Sequence, residues 1–328
     1  MPISVPQLEY PPRKVSWLKR DVLLFAASIG CSARELHFLH ELHPNFQVFP
    51  TYPIVLTFKY DHPSTIDFLS ENAARPLPPG CPSLDWSRAV DGRRRITVYR
   101  PLPPTSGGDG SWEMRSKVLA VYDKGRGRGT VLEMEHVLVH AATGEAYSRA
   151  WESAFFVGTG GWGGERGPSI KRIPPPAREP DAVSEFRTTA ETAHLYRLNG
   201  DYNPLHASPP AGRALGYDGI ILHGLFGWNV AAQTALRHYG RSHGANLRDF
   251  EARFVAPVRP GDALSIRMWD MGEFTGQPGE VGDALGGARS ECERLREVRL
   301  EVRVADKVVL GDGRALIVME KDETASKL

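Results

Sequence analysis

Apolar and polar positions alternate with period two over several stretches of the chain, most plainly in "REVRLEVRVADKVVLGDGRALIVM", where Val298, Leu300, Val302 and Val304 are separated by charged residues. Such alternation predicts strands with one face buried and the other wet. The runs "RRITVYRPL", "RSKVLAVYDKG", "NLRDFEARFVAPV" and "DALSIRMWDMG" predict further strands, and "TVLEMEHVLVHAATGEAYSRAWESAFFVG" predicts a hairpin that turns at Thr143-Gly144. "FQVFPTYPIVLTF" is read as strand-like as well. Helices are predicted over Asp21 to Ile29, and from the capping box Ser32-x-x-Glu35 through His43, where Pro44 stops it. A second capping box, Thr188-x-x-Glu191, opens a helix ending near Asn199-Gly200. The longest and most apolar helix runs from about Leu222 to Tyr239, ended by Gly240.

Between the two sets of elements lies "GTGGWGGERGPSIKRIPPPAREP", Gly158 to Pro180, whose Gly and Pro content continues neither a helix nor a central strand. The division predicted there separates residues 1–165 from residues 166–328. Each half reads as a helix packed on an antiparallel sheet, an α+β architecture. A length of 328 residues agrees with two units of ordinary size.

Composition narrows the function by exclusion. Hydrophobic residues at 41% supply enough apolar surface for a core. Lys plus Arg 40 against Asp plus Glu 39 leaves a net charge of +1, so no bulk field draws nucleic acid or an anionic membrane, and an anionic ligand needs local groups. Cys31, Cys81 and Cys292 are odd in number, widely spaced and without a metal-ligand pattern, which fits a reducing compartment. No apolar run approaches the ~20 residues that cross a bilayer, and "MPISVPQLEYPPRK" lacks the apolar core of a secretory signal. Ser326-Lys327-Leu328 spells the peroxisomal address, read by an import receptor.

The chemistry concentrates in "YRLNGDYNPLHASPPAGRALGYDGIILHGLFG", Tyr196 to Gly227. Asp201, Asn203 and His206 lie in a loop pinned by Gly200 and by the turn at Asn203-Pro204. A carboxylate and an imidazole five residues apart, held by a rigid turn, can converge on one water, as addition of water to a double bond requires. Asn203 can donate and accept in the same network. An isolated Asp-x-Asn-Pro would more often be a turn and its histidine a surface residue. Here His223-Gly224 opens the long helix, whose first amides and positive dipole end suit the oxyanion of a thioester enolate.

With these residues in view, "GDYNPLH" followed by "ILHGL" resembles the signature of the hydratase 2, MaoC-like family, the (R)-specific 2-enoyl-CoA hydratases of the hot-dog fold. "ELHPNFQVFPTYPIV", "VYDKGRGRGTV", "FFVGTGGWGG" and "APVRPGDAL" are similar to segments of its two-domain eukaryotic members, so the resemblance covers about Asp21 to Met319. It implies a double hot-dog. Asp201 and His206 become the acid/base pair with Asn203 as partner, the Gly224 N–H the donor to the thioester oxygen, and Tyr202, Leu205 and His223 substrate contacts. The N-terminal half, lacking both Asp-x-Asn-Pro-x-His and the long helix, becomes a degenerate hot-dog with room for a bulky acyl chain, paired edge to edge with the catalytic half. Asn199, Ala207-Ser208 and Ile220 depart from the usual pattern and bear on the acyl pocket.

The activity so implied is hydration of a trans-2-enoyl-CoA to the (3R)-3-hydroxyacyl-CoA, or the reverse dehydration, with no metal and no cofactor beyond the coenzyme A of the substrate. The implied partners are an acyl-CoA thioester and a peroxisomal import receptor, with a homodimer as an option and neither nucleic acid nor membrane insertion. Rival readings are a dehydratase of a secondary-metabolite or polyketide thioester, an acyl-CoA thioesterase, and a non-catalytic acyl-CoA binding protein. Other motifs carry less. Gly158-x-Gly160-x-x-Gly163 fits a dinucleotide fingerprint in letters, but Gly164, Gly167 and Pro168 forbid the helix it needs. Gly125-Arg126-Gly127-Arg128-Gly129 reads as a basic turn, His37, His40 and His43 as a half-exposed face, and Ser208 has no nucleophile elbow.

Overall fold

The computed structural model describes residues 3–73, 75–107, 111–169, 172–274 and 293–319; Cys292 and the tripeptide Ser326-Lys327-Leu328 lie outside them. The strands are β1 (Leu8–Glu9), β2 (Arg13–Lys14), β3 (Ala89–Val98), β4 (Trp112–Asp123), β5 (Gly129–His140), β6 (Glu145–Val157), β7 (Ala182–Arg187), β8 (Leu247–Phe254), β9 (Ala263–Glu273), β10 (Leu295–Val304) and β11 (Lys307–Val318). The helices are α1 (Lys19–Ser28), α2 (Leu36–Leu39), α3 (Leu56–Lys59), α4 (Phe68–Ala73), α5 (Thr192–Tyr196), α6 (Pro209–Ala214) and α7 (Gly224–Tyr239). None of them is long and apolar enough to cross a membrane.

The strands form one antiparallel sheet in the order β1-β4-β5-β6-β3-β8-β11-β10-β9-β7, with β2 beside β4. The two halves of the chain meet where β3 pairs with β8, in a register that places Ile96 opposite Phe250 and Thr97 opposite Asp249. Each half thereby covers an edge that the other would leave open. Helix α7 is buried nearly all round from Leu225 to Leu236, as its apolar sequence requires. It packs on Leu264, Ile266, Val298, Leu300, Ala315 and Ile317 within the main core.

Polar residues of α7 also tie the N-terminal half to it. Asn229 accepts a bond from Thr51 (2.5 Å), and Gln233 and Arg237 both donate to Glu35 (2.9 and 2.6 Å). Glu35 does accept from the Ser32 amide as a capping box demands, but it is shared with α7, and the helix it opens is only Leu36–Leu39 rather than reaching His43. The expected strand at "FQVFPTYPIVLTF" is instead a 3-10 turn over Tyr52–Val55 running into α3. Every residue from Phe49 to Thr57 is buried, so the run carries no alternation that separates strand from helix, and Pro53 stands in the first turn, where its missing N–H costs nothing. The second capping box is also displaced: the Thr188 hydroxyl donates to the Asp262 carbonyl, and the Thr189 amide is held by Thr192. Strand β7 follows the proline-rich connector and was not expected.

The glycine-rich segment after β6 folds onto the turn between β4 and β5. Asp123 accepts from the amides of Gly125 (2.8 Å), Gly161 (2.7 Å) and Gly163 (2.8 Å). Burial works against its charge, but these bonds prevail and hold the carboxyl below its usual range. Amides that a dinucleotide phosphate would need are thus already satisfied by a side chain.

Candidate active site

Asp201 owes its position to Gly200, which ends the turn after α5 at φ +121°, a conformation side chains rarely adopt; a Cβ there would meet Lys59 at 2.7 Å. The chain can therefore press against α3 and aim the next residue inward. Asn203 then fixes the loop from within: its amide donates to Asp201 Oδ1 (3.2 Å) and its own Oδ1 accepts from the Leu205 amide (3.0 Å). This Asx arrangement caps the 3-10 turn Pro204–His206. His206 is buried, and its Nδ1 is 2.9 Å from the Ile221 carbonyl. A carbonyl only accepts, so Nδ1 carries the proton and Nε2 carries the lone pair.

His223, the N-cap of α7, is buried and sits 3.1 Å through Nε2 from the Asp201 carbonyl, with Nδ1 left without a hydrogen bond. Ligand atoms of Asp201, His206 and His223 all lie within 4.8 Å of one another, near enough to share one water or one cation. Burial pushes the Asp201 carboxyl above its ordinary value, against the attraction of His206 and the Asn203 bond. Burial also pushes His206 down, against the attraction of Asp201, and holds His223 well below the imidazole range. Both shifts run in the direction that disfavours charge on the pair.

These groups face a cavity of about 570 Å³ that Asp201, Asn203, Leu205, His206, His223 and Gly224 all line. Gly224 is the first residue of α7, where amides lack an intrahelical acceptor. A Cβ on it would lie 2.9 Å from the Phe254 ring and 3.4 Å from Asp91 Oδ2, so the close packing at the start of α7 admits only a residue without a side chain. Tyr202 does not line this cavity; its ring lies 5.0 Å from the Arg197 guanidinium. Asn199 is likewise elsewhere, bonded to Ser28 of α1 (2.9 Å).

Asp91 escaped the sequence reading. It comes from β3 in the other half, lines the cavity, and receives Arg94 Nε at 2.8 Å. No local motif surrounds it; only the β3–β8 pairing brings it to α7. His37 is 2.7 Å from the Ser242 carbonyl through Nε2, and α2 ends before His40, so His37, His40 and His43 share no helix face.

A long buried helix packed on an antiparallel sheet in a chain of two such halves defines the hot-dog class of fold, here with Asp201 and His206 beside the start of the helix. Residues 16–158 match the MFE-2 hydratase 2 N-terminal domain and residues 172–284 the MaoC like domain. The chain is 59% identical over its whole length to a probable dehydratase, NIT22, of Ajellomyces capsulatus, covering 85% of that protein. It is 32% identical, over 84% of its length, to the peroxisomal hydratase-dehydrogenase-epimerase of Neurospora crassa, of which it spans 30%. Among solved structures, a MaoC-like dehydratase from Phytophthora capsici aligns with a TM-score of 0.74 at 27% identity, covering 97% of each chain. A Mycobacterium tuberculosis protein described as a double hot-dog aligns at 0.52, covering 97% of this chain and 96% of that one. The chain belongs to the MaoC-like, hydratase 2 family, hydro-lyases that here take the form of a double hot-dog.

Proposed function

We propose that this protein reversibly hydrates trans-2-enoyl-CoA thioesters to (3R)-3-hydroxyacyl-CoA, with residues 166–328 supplying the catalytic groups and residues 1–165 the room for the acyl chain. The observation that carries the reading is the convergence of Asp201 and His206 beside the open start of α7. In the hydration direction, His206 Nε2 takes a proton from water as the water oxygen bonds to C3. The double-bond electrons move onto the thioester oxygen, where the Gly224 N–H receives the charge. Asp201 delivers its proton to C2, and the proton held by His206 returns to Asp201 to close the cycle. Water addition and removal use the same groups, so the dehydratase direction, as in the name of the Ajellomyces capsulatus relative, needs no different site.

The residues act without a metal or a separate cofactor in this account. A peroxisomal location is part of the proposal, supported by the Neurospora crassa relative and by the tripeptide Ser326-Lys327-Leu328. Incubation with crotonyl-CoA should remove the absorbance of the conjugated thioester and yield the (3R) product on chiral analysis. Release of free thiol in place of hydration would support a thioesterase and contradict the proposal.

A further inference from the structure

The cavity does not end at Asp201 and His206. It continues into the N-terminal half, past Phe58, Phe68 and Trp86, where the wall also carries Arg75, Arg94, Glu133, His136 and Glu152. Most of these charges are matched. Arg94 donates to Asp91 (2.8 Å) and is bonded to Glu152, while Glu133 faces Lys124.

Two groups are not matched in this way. Arg75 has no carboxylate within ion-pair reach among the described residues; it lies 4.9 Å from the Trp86 ring, with the Tyr60 hydroxyl at 3.4 Å and the Met134 sulfur at 3.9 Å. His136 is buried, with Nδ1 2.8 Å from the Ser116 hydroxyl, but its Nε2 has no hydrogen bond, the Glu152 carboxylate standing at 3.4 Å outside bonding geometry. Met134, whose sulfur Arg75 reaches, stands two residues before His136 on β5, so the two groups line one region of the cavity. An alkyl tail filling this arm would strip water from the half-buried Arg75 guanidinium and return no bond to it, nor to the His136 Nε2, which is already closed off from solvent. A tail carrying oxygen would replace the lost water.

We propose that the N-terminal arm of the cavity takes an oxygen-bearing acyl tail, with a carboxyl, hydroxyl or keto group set against Arg75 and His136. This rests on the reading of the site as an acyl-CoA hydro-lyase and names the substrate class it serves. The phosphates of coenzyme A are the other source of the same chemistry, and the test separates them.

The experiment measures calorimetric binding of saturated acyl-CoA thioesters, which cannot react, in sets of equal medium chain length ending in methyl, hydroxyl or carboxyl, together with free coenzyme A. At one or more lengths an oxygenated tail should bind about ten-fold tighter than its methyl counterpart, about 1.4 kcal/mol. Arg75→Met should abolish that preference, Arg75→Lys should keep part of it, and both should leave crotonyl-CoA turnover within about two-fold, since so short an acyl group leaves the arm untouched. Equal or tighter binding of methyl-ended tails at every length overturns the proposal. An Arg75→Met loss as large for free coenzyme A also overturns it, making the arm a phosphate site. Retained preference without any hydration of crotonyl-CoA would support the arm while refuting the hydro-lyase reading.

Discussion

The imidazoles of His206 and His223 stack with centroids 3.8 Å apart and planes 28° from parallel, and each donates its proton to a backbone carbonyl, of Ile221 and Asp201 respectively. Both rings are thereby locked in one tautomer. His223 holds the Asp201 backbone and backs the His206 ring without transferring a proton of its own. Replacing it with Ala should lower kcat roughly ten- to hundred-fold, the scale of a small misplacement of catalytic groups, with little change in KM. His223→Gln, which can still donate to the Asp201 carbonyl, should recover part of the loss. Steady-state kinetics on the three proteins decides this, and an unchanged kcat for His223→Ala would remove its positioning role.

The pH dependence follows from burial. His206 is shifted down from its ordinary 6.5 because a charged ring is poorly solvated there. Its lone pair therefore remains available at acidities where an exposed imidazole is already half protonated. The acid limb of kcat/KM should lie below pH 6.5, and the alkaline limb should report loss of the one proton the pair carries. A pH profile with its acid midpoint above 6.5 would contradict the assignment of His206 as the proton acceptor.

Chelation separates two uses of the same cluster. Asp201, His206 and His223 are close enough to hold a cation, yet the proposed chemistry needs only their protons and lone pairs. Dialysis against a strong chelator should leave the rate unchanged, and added zinc should slow it by occupying the Nε2 lone pair of His206. Loss of activity on chelation, restored by metal, would replace the acid/base account with metal-assisted hydration.

At the seam of the two halves, Asp249 is fully buried and accepts Arg95 Nε (3.0 Å) and the Thr97 hydroxyl (2.6 Å) across the β3–β8 pairing. Asp249→Ala would remove the buried carboxylate that Thr97 and the partly exposed Arg95 both donate to and should cost about 3 kcal/mol, the lower end for a broken buried pair. Asp249→Asn should cost much less. Burial already opposes the carboxylate's charge, and the amide oxygen can still accept. Denaturant unfolding of both variants measures the difference.

The strands β3 to β6 and β8 to β11 were legible from their β-rich runs, and the helix α7 from its long apolar run. In β9 buried and half-buried positions do alternate from Ala263 to Met268, although β5, β8 and β11 are buried on both faces over much of their length. The Asp201–His206 loop was legible because its spacing is local. Phe49 to Thr57 was not, since a run buried on all sides has no period to read. Ser32 to His43 was misjudged because Glu35 serves α7 as much as its own turn. Asp91 could not be found at all: its place beside Gly224 is set by a strand pairing that joins positions far apart in sequence.

The measurement closest to the central claim is turnover of a trans-2-enoyl-CoA by Asp201→Asn, His206→Gln and the double variant, each checked for native folding. Each single change should lower kcat/KM roughly 10²–10⁴-fold, and the double should fall little further, because the two groups act as one unit. Retention of activity within about ten-fold by either single variant, or losses that simply multiply, would contradict the account.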